Sequence, residues 1–407
     1  MTPPLYIALR FVSHRKRSFL LSVSGVVFGV AIFICTQAQT EGFAQNFIRS
    51  TVGSTGALIM RSRLQTEAAP LPVKPKNARR SVGEGINDAA EIMRVSRQFS
   101  NVVACSPVLR GSVSARAAFQ NATVDLFGIE PDSHLQTTNI ADQLVEGTFD
   151  NFRNNPTSLI VGSRLAALLG VNVGDAVQLL SPSGEFWRFN VAAIARSGVG
   201  SVDLSRMYCH AKLAQRLLRK PFPATMIVYK LRDDDGAPAL AQRFEQLFQH
   251  GAESWQEREQ GNLQLFTTLR TSAAITVSLI ILLAGFGIFN VLTMTVLAKM
   301  KEIAILRSMG YRRADIAAIF LWQGAMIAGV GATFGCVLGA LMTWGVSKIP
   351  IEVRGLLYAN HFLVAWNWRH YFVATVLALI AVFIASYVPA RRAAQLPPVA
   401  TLRGSSA

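Results

Sequence analysis

The sequence predicts a polytopic α-helical membrane protein with four transmembrane helices in a one-plus-three arrangement. A large α+β extracytoplasmic domain is inserted between the first and second helix. Three observations predict this. Four apolar stretches each reach the roughly 20 residues that cross a bilayer, and none contains an internal Asp, Glu, Lys or Arg. Only 16% of the 407 residues are charged and 51% are hydrophobic, whereas a soluble domain carries roughly 25% charged residues. Finally, the basic residues are concentrated beside the apolar stretches rather than spread along the chain.

The elements follow in order. Residues 1–18 are a basic N-terminal segment with Arg10, Arg15, Lys16 and Arg17 and no acid. The first span is placed at 19–40, an uncleaved anchor: its apolar stretch is longer than a signal-peptide core, and no small-residue cleavage site follows. Residues 41–270 form the outer domain. The second span is 271–298, followed by a loop at 299–315, the third span at 316–346, an outer loop at 347–370, the fourth span at 371–390 and a tail at 391–407.

Charge sets the orientation. Residues 1–18, 299–315 and 391–407 together carry 12 basic and 2 acidic residues, against 25 basic and 21 acidic in the far longer 41–270 segment. By the positive-inside rule both termini and the 299–315 loop are cytoplasmic and the large domain is outside. The formal net charge of +16 therefore reflects topology and contact with membrane lipids, not nucleic acid.

Within the outer domain, "TEGFAQNFIRSTVG" continues the first span as an amphipathic helix with Phe43 and Phe47 four apart. Residues 64–85 read as an exposed loop. "DAAEIMRVSRQF" reads as a helix, and "VVACSPVL" and "ATVDLFGIE" as strands. In "VGSRLAALLGVNVGDAVQLLS", Ser163 is expected to cap a helix, Gly170 to end it, and Gly174-Asp175 to turn into a strand. "RMYCHAKLAQRLLRK" reads as strand then helix, and "ATMIVYKLRDDDGAPALAQRFEQLFQH" as strand, acidic turn and helix. Two of the four cysteines, Cys105 and Cys209, fall in this domain. An oxidising compartment would permit a disulfide between them; two separate buried thiols are the alternative.

Motifs for chemistry are lacking. There is no phosphate-binding G-x-x-x-x-G-K-[ST], and no Gly-Lys pair anywhere. The six histidines show no paired metal-ligand spacing, so no metal site is expected. The chain reads as no enzyme in its own right, and directed work would draw on a partner.

In the third span Gly331, Gly335 and Gly339 repeat every four residues, a smooth stripe for close helix packing, either within the chain or between subunits. Asn290, in the second span, is expected to bond to another helix. That span runs on the order of 42 Å at 1.5 Å per residue, so it must tilt or project from the bilayer. The 299–315 loop is amphipathic: Ile303, Leu306 and Met309/Gly310 share one side, Ile305 lies near it, and Lys301, Glu302 and Arg312 lie elsewhere. It reads either as a helix on the membrane surface or as a docking helix for a cytoplasmic partner.

"EIAILRSMGYRRADIAAIFLWQGAMIAGVGATFGCVLG" resembles the signature region of FtsX/MacB-type ABC transporter permeases, and "PARRAAQLPPVATLR" resembles the family's C-terminal ending. "IALRFVSHRKRSFLLSVSGVVFGVA", "GIEPDSHLQTTNIADQLVEGTFD", "SLIVGSRLAALLGVNVGDAVQLLSP" and "SWQEREQGNLQLF" are similar to the LolC/LolE lipoprotein-releasing permeases. The resemblance implies a MacB-like periplasmic core as the outer domain and a bacterial inner-membrane location. It also implies release of lipoproteins or a similar amphiphile by mechanotransmission. The implied partners are a cytoplasmic ABC ATPase dimer that holds the ATP and Mg, a second permease subunit, and a periplasmic carrier or adaptor; this chain itself binds no cofactor. ATPase coupling would fall to Lys301, Glu302, Ile303, Ile305, Leu306, Arg307, Met309 and Gly310. Contact with acyl chains would fall to Phe43, Phe47, Phe286 and Phe289, for which ordinary packing is the alternative. One departure stands out: lipoprotein-releasing relatives often carry a longer, carrier-hooking loop where this chain has only "SGEFWR" between "AVQLLSP" and "FNVAAI". MacB-like efflux with an adaptor and outer-membrane channel, and FtsX-like control of a cell-wall hydrolase, are the alternative functions.

Overall fold

The computed structural model describes residues 6–8, 10, 16–62, 85–117, 120–350 and 361–395. All but Gly85 of the loop expected over 64–85, residues 1–5, 9 and 11–15 of the basic N-terminal segment, residues 351–360 of the outer loop before the fourth span and the C-terminal motif from 396 lie outside those residues. The chain separates into two compact units. One takes the chain through Gln45, from Leu265 onward through the second and third long helices, and again from His361; the other takes Asn46–Gln264.

Helix α1, Lys16–Thr55, is a single helix of 40 residues. The apolar span and the amphipathic stretch with Phe43 and Phe47 are therefore one element, because no Pro interrupts the register and Gly56, at φ +77°, is the first residue to leave it. Strand β1, Leu58–Arg61, follows. Helix α2, Ala89–Ser96, precedes the long strand β2, Val102–Ala117, which pairs antiparallel with β3, Gln120–Ile129. Next come α3, Pro131–Thr137, β4, Leu144–Gly147, α4, Phe149–Asn154, and β5, Ser158–Gly162. Helix α5, Ser163–Leu169, starts from Gly162 rather than from a Ser163 cap, so that expectation is corrected: Ser163 is already inside the first turn. Gly170 ends the helix at φ +64°, the left-handed conformation for which glycine has no steric cost.

Strands β6, Ala176–Leu180, and β7, Phe186–Ala195, form an antiparallel hairpin. Its turn is closed by the Ser181 N–H donating to the Glu185 carbonyl at 2.9 Å, with Gly184 at φ +86°. The chain continues through α6, Gly200–Ser205, β8, Arg206–His210, α7, Ala211–Leu218, β9, Met226–Leu231, α8, Ala237–Phe248, β10, Gly251–Ser254, and α9, Trp255–Arg258. The Asp233–Asp235 turn is structural. Asn101 grips it from both sides: its side-chain amide donates to the Asp233 carbonyl at 3.1 Å and accepts from the Asp233 N–H at 2.8 Å.

The ten strands make one mixed sheet, ordered β10-β1-β9-β2-β3-β8-β5-β7-β4, with β6 pairing β2 and β7. Strand β2 unites it: its first half pairs with β9 and its second half with β3 and β6. Each part carries its own core. Leu109, Val113, Leu126, Leu159 and Leu165 gather in one, and Leu58, Met60, Cys105, Tyr229 and Phe244 in another. A third cluster, with Val108, Ile129, Phe152 and Ile160, includes residues of α4.

The Cys105–Cys209 disulfide is not formed; both thiols are free and buried. Register explains it. Cys209 lies opposite Gly128, and Gly128 lies opposite Leu109. Two strand spacings plus four residues along β2 put the cysteines about 16 Å apart, well beyond the roughly 7 Å Cα separation a bridge tolerates. Burial also pushes both thiols to higher pKa.

The other unit is helical. Helix α10, Gln260–Ala298, begins eleven residues before the apolar window at Thr271. It is followed by α11, Met300–Ser308, α12, Arg313–Ser347, and α13, Trp368–Gln395, which contains Pro389 and runs past the expected end at 390. Among the described residues four helices are long and apolar enough to cross a membrane. The large domain sits between the first and second of them in the chain.

Candidate functional site

The third-span glycines are used within the chain. A Cβ added to Gly331 would sit 2.8 Å from the Val26 Cβ, one at Gly335 2.7 Å from the Val30 Cβ, and one at Gly339 3.1 Å from the Ile34 Cβ. Val26, Val30 and Ile34 themselves repeat every four residues on α1, so a β-branched ridge lies in a glycine groove. On a neighbouring face of α1, Gly25 and Gly29 meet Ala284 and Ile281 of α10. The first span therefore packs against both the second and the third.

At one end of this bundle a polar cluster unites three segments. Glu41 accepts from the Asn367 amide at 3.1 Å and shares a 2.6 Å hydrogen bond with His370 Nε2. Arg270 stands 3.9 Å away, and the Ala365 N–H donates to the Ala38 carbonyl at 2.8 Å. The sequence reading missed this cluster. Its only signal was a carboxylate just after the first apolar stretch and a histidine just before the fourth.

Helix α11 is the candidate coupling element. Lys299 breaks the path of α10, with a non-helical backbone at the start of α11, and pairs with Glu302. Gly310, at φ +98°, ends the element, and the Tyr311 N–H returns to the Leu306 carbonyl at 3.3 Å. Asp315 then accepts from the Arg312 N–H at 2.9 Å to open α12. The Arg307 guanidinium donates to the Ala394 carbonyl of α13 at 3.1 Å, fastening the helix to the bundle.

The apolar residues of α11 divide differently from the sequence expectation. Ile303 is buried against Val296, Ile316, Ile319, Phe320, Ala390 and Ala393, with Leu306 partly buried beside it, and Ala304 is buried too. Ile305 is 49% exposed and Met309 72% exposed; Lys301, Glu302 and Gly310 are exposed too. Lys301, Ile305 and Met309, spaced four apart, thus form the outward ridge. Ile303 and Leu306 hold the helix in place. The single face proposed for Ile303, Leu306 and Met309 is corrected, because α11 must bury one side against the spans it connects.

The four phenylalanines do not gather. Phe43 packs edge-on against Phe266, ring centroids 5.6 Å apart, and Phe47 is buried. Phe286 is 71% exposed and lies 6.3 Å from Phe289. Twenty residues of α10, about 30 Å, separate Phe266, the partner of Phe43, from Phe286. Asn290 is exposed on α10 rather than buried against a neighbouring helix.

Among the described residues no three His, Cys, Asp or Glu side chains gather to hold a metal ion. In the outer unit, burial holds His134 neutral, its pKa lowered to about 3, with Arg206 adding to the effect. Burial also lowers the Arg258 pKa to about 10, and raises that of Asp203, which accepts from the Ser197 N–H and Oγ at 2.8 and 2.7 Å.

Four membrane-spanning helices, a mixed α+β domain between the first and second, and a short helix linking the second and third define a transport permease of the ABC type. The MacB-like periplasmic core domain family matches residues 19–247 and the FtsX-like permease C-terminal family residues 274–398; the chain belongs to this family of permeases. It is similar along its length to the lipoprotein-releasing system transmembrane protein LolC of Neisseria meningitidis serogroup B, 26% identical over 98% of both chains. Likewise it is 25% identical to LolC of Xylella fastidiosa over 99% of this chain and 100% of that one. LolE of Haemophilus influenzae is 24% identical over 99% of each chain.

Proposed function

We propose that this permease releases lipoproteins, or a similar amphiphile, from the inner membrane, driven by ATP hydrolysis in a separate cytoplasmic ATPase dimer. The observation that carries the reading is the end-to-end similarity to LolC and LolE, which spans both membrane and outer parts. The chain pairs with a second permease subunit. Both termini and α11 face the cytoplasm, as the basic residues flanking the spans support. ATP and Mg belong to the partner ATPase. The outward ridge of α11 takes its thrust and passes it to α10 and α12, to which α11 is joined directly in the chain.

The tight β6–β7 hairpin bears on the division of labour. Five residues, Ser181 to Glu185, make the whole turn, which leaves no projecting loop there to hook a soluble carrier. Recruitment of a periplasmic carrier therefore belongs to a companion subunit or to another surface. Affinity purification of the tagged chain from native membranes, with mass spectrometry of what is retained, tests the proposal. A cytoplasmic ABC ATPase together with triacylated lipoproteins is expected. An adaptor and outer-membrane channel in place of the lipoproteins, or a cell-wall hydrolase, would overturn it.

A further inference from the structure

The outer unit contains a cleft of ≈ 60 Å³ whose lining includes Arg61, Arg110, His134, Arg206 and Arg258. A single water needs only about 10–15 Å³ of such space, so the cleft exceeds a single water. The basic side chains come from distant parts of the chain: β1, β2, α3, β8 and α9. Three of the four guanidinia have carboxylates nearby: Arg61 with Glu253 at 3.6 Å, Arg110 with Asp125 at 2.8 Å, and Arg258 with Glu259 at 3.9 Å. Among the described residues Arg206 is in no ion pair; its guanidinium lies 4.8 Å above the Phe127 ring.

Two buried groups in the lining lack hydrogen-bond partners. Arg258 donates through Nη2 to Thr55 Oγ1 at 2.8 Å and to the Gly56 carbonyl at 3.0 Å, which fixes its plane, while its Nε and Nη1 are buried without one. His134, only 3% exposed, has Nδ1 in the same condition. Buried polar groups are ordinarily satisfied, and Arg206, the one guanidinium of the four with no carboxylate partner among the described residues, lines the same small space as the two unsatisfied nitrogens of Arg258, where an oxyanion would supply both acceptors and countercharge. Water can accept hydrogen bonds but cannot cancel the charge.

We propose that this cleft binds a phosphate-type oxyanion, with Arg206 and Arg258 as its principal donors, Arg61 at the mouth and His134 at the wall. Guanidinium forks suit a tetrahedral oxyanion, whose oxygens accept from several directions at once. The group is either free phosphate or the phosphate of a lipid headgroup. The inference stands apart from the lipoprotein-release reading, since it concerns binding by this chain alone.

The test uses the full chain in a neutral, phosphate-free detergent, titrated calorimetrically with inorganic phosphate and with short-chain phosphatidylglycerol. Saturable binding of one equivalent is expected, and Arg206→Gln should weaken it about tenfold or more, as for loss of a charge-assisted hydrogen bond. Among the described residues the Arg206 side chain makes no hydrogen bond, so its replacement leaves the β8 backbone pairing intact, and Arg61→Gln serves as a second variant should the first not fold. The ligand that saturates at lower concentration identifies the source. No saturable binding of either probe, or binding that both variants leave unchanged, would overturn the proposal.

Discussion

Gly335 of α12 meets Val30 of α1 so closely that any side chain on the glycine would overlap the valine, with Cβ atoms 2.7 Å apart. The neighbouring pairs Gly331–Val26 and Gly339–Ile34 extend this contact along two helical turns, so the seam is continuous. Replacing Gly335 with Ala is expected to destabilise the bundle by about 1–3 kcal/mol, the usual range for overpacking. Gly329 and Gly345 on the same helix face open space, and Ala at either should be neutral or slightly stabilising. Thermal unfolding in detergent compares the three. Equal melting temperatures for Gly335→Ala and Gly329→Ala would remove the seam.

Much of the architecture was legible because it is written in local patterns. The four apolar windows, the Gly170 helix stop and the acidic Asp233–Asp235 turn each depend on a few consecutive residues. The glycine repeat was legible as a packing face, but its partner was not, since Val26 lies some 300 residues earlier. Long-range register was out of reach altogether: nothing near Cys105 or Cys209 signals that β3 stands between their strands. The face of α11 was misread for a related reason. Periodicity grouped Ile303, Leu306 and Met309, but only the packing of Ile316 and Ala393 decides which apolar residues turn inward. The arginines of the outer cleft, scattered from 61 to 258, left no sequence signal.

The separation of Cys105 and Cys209 predicts four free thiols per chain, with Cys35 and Cys336 the other two. Protein kept without reductant, then unfolded and alkylated, should carry four labels. A mass corresponding to two labels, with two more after reduction, would contradict the strand register given above.

His134 predicts a pH dependence of known sign. Its folded pKa of about 3 lies below the ordinary value near 6.5, so the unfolded chain takes up a proton that the folded one refuses. Stability is therefore fully present above about pH 6.5 and is lost as pH falls toward 3, by at most about 1.4 kcal/mol per pH unit. His134→Gln should flatten the fall in unfolding temperature between pH 6.5 and 4.5, whatever it does to stability at neutral pH. Parallel slopes in the wild type and the variant would mean that other groups control acid sensitivity.

Ile305 and Met309 separate docking from folding. Both are exposed on the outward ridge of α11, whereas Ile303 is 1% exposed in the core beneath it. A cytoplasmic partner that covers the ridge would bury both apolar side chains, each contributing on the order of 1.5–3 kcal/mol when fully enclosed. The double variant Ile305→Ser, Met309→Ser is thus expected to insert and melt like the wild type while losing most of its stimulation of the partner ATPase, about tenfold or more. Ile303→Ser should instead lower the melting temperature, because it leaves a hydroxyl in an apolar core. Measuring both properties in both variants distinguishes a docking ridge from a merely lipid-facing one. If the double variant stimulates the ATPase as the wild type does, the partner does not grip α11 by this ridge, and transmission must enter the permease elsewhere.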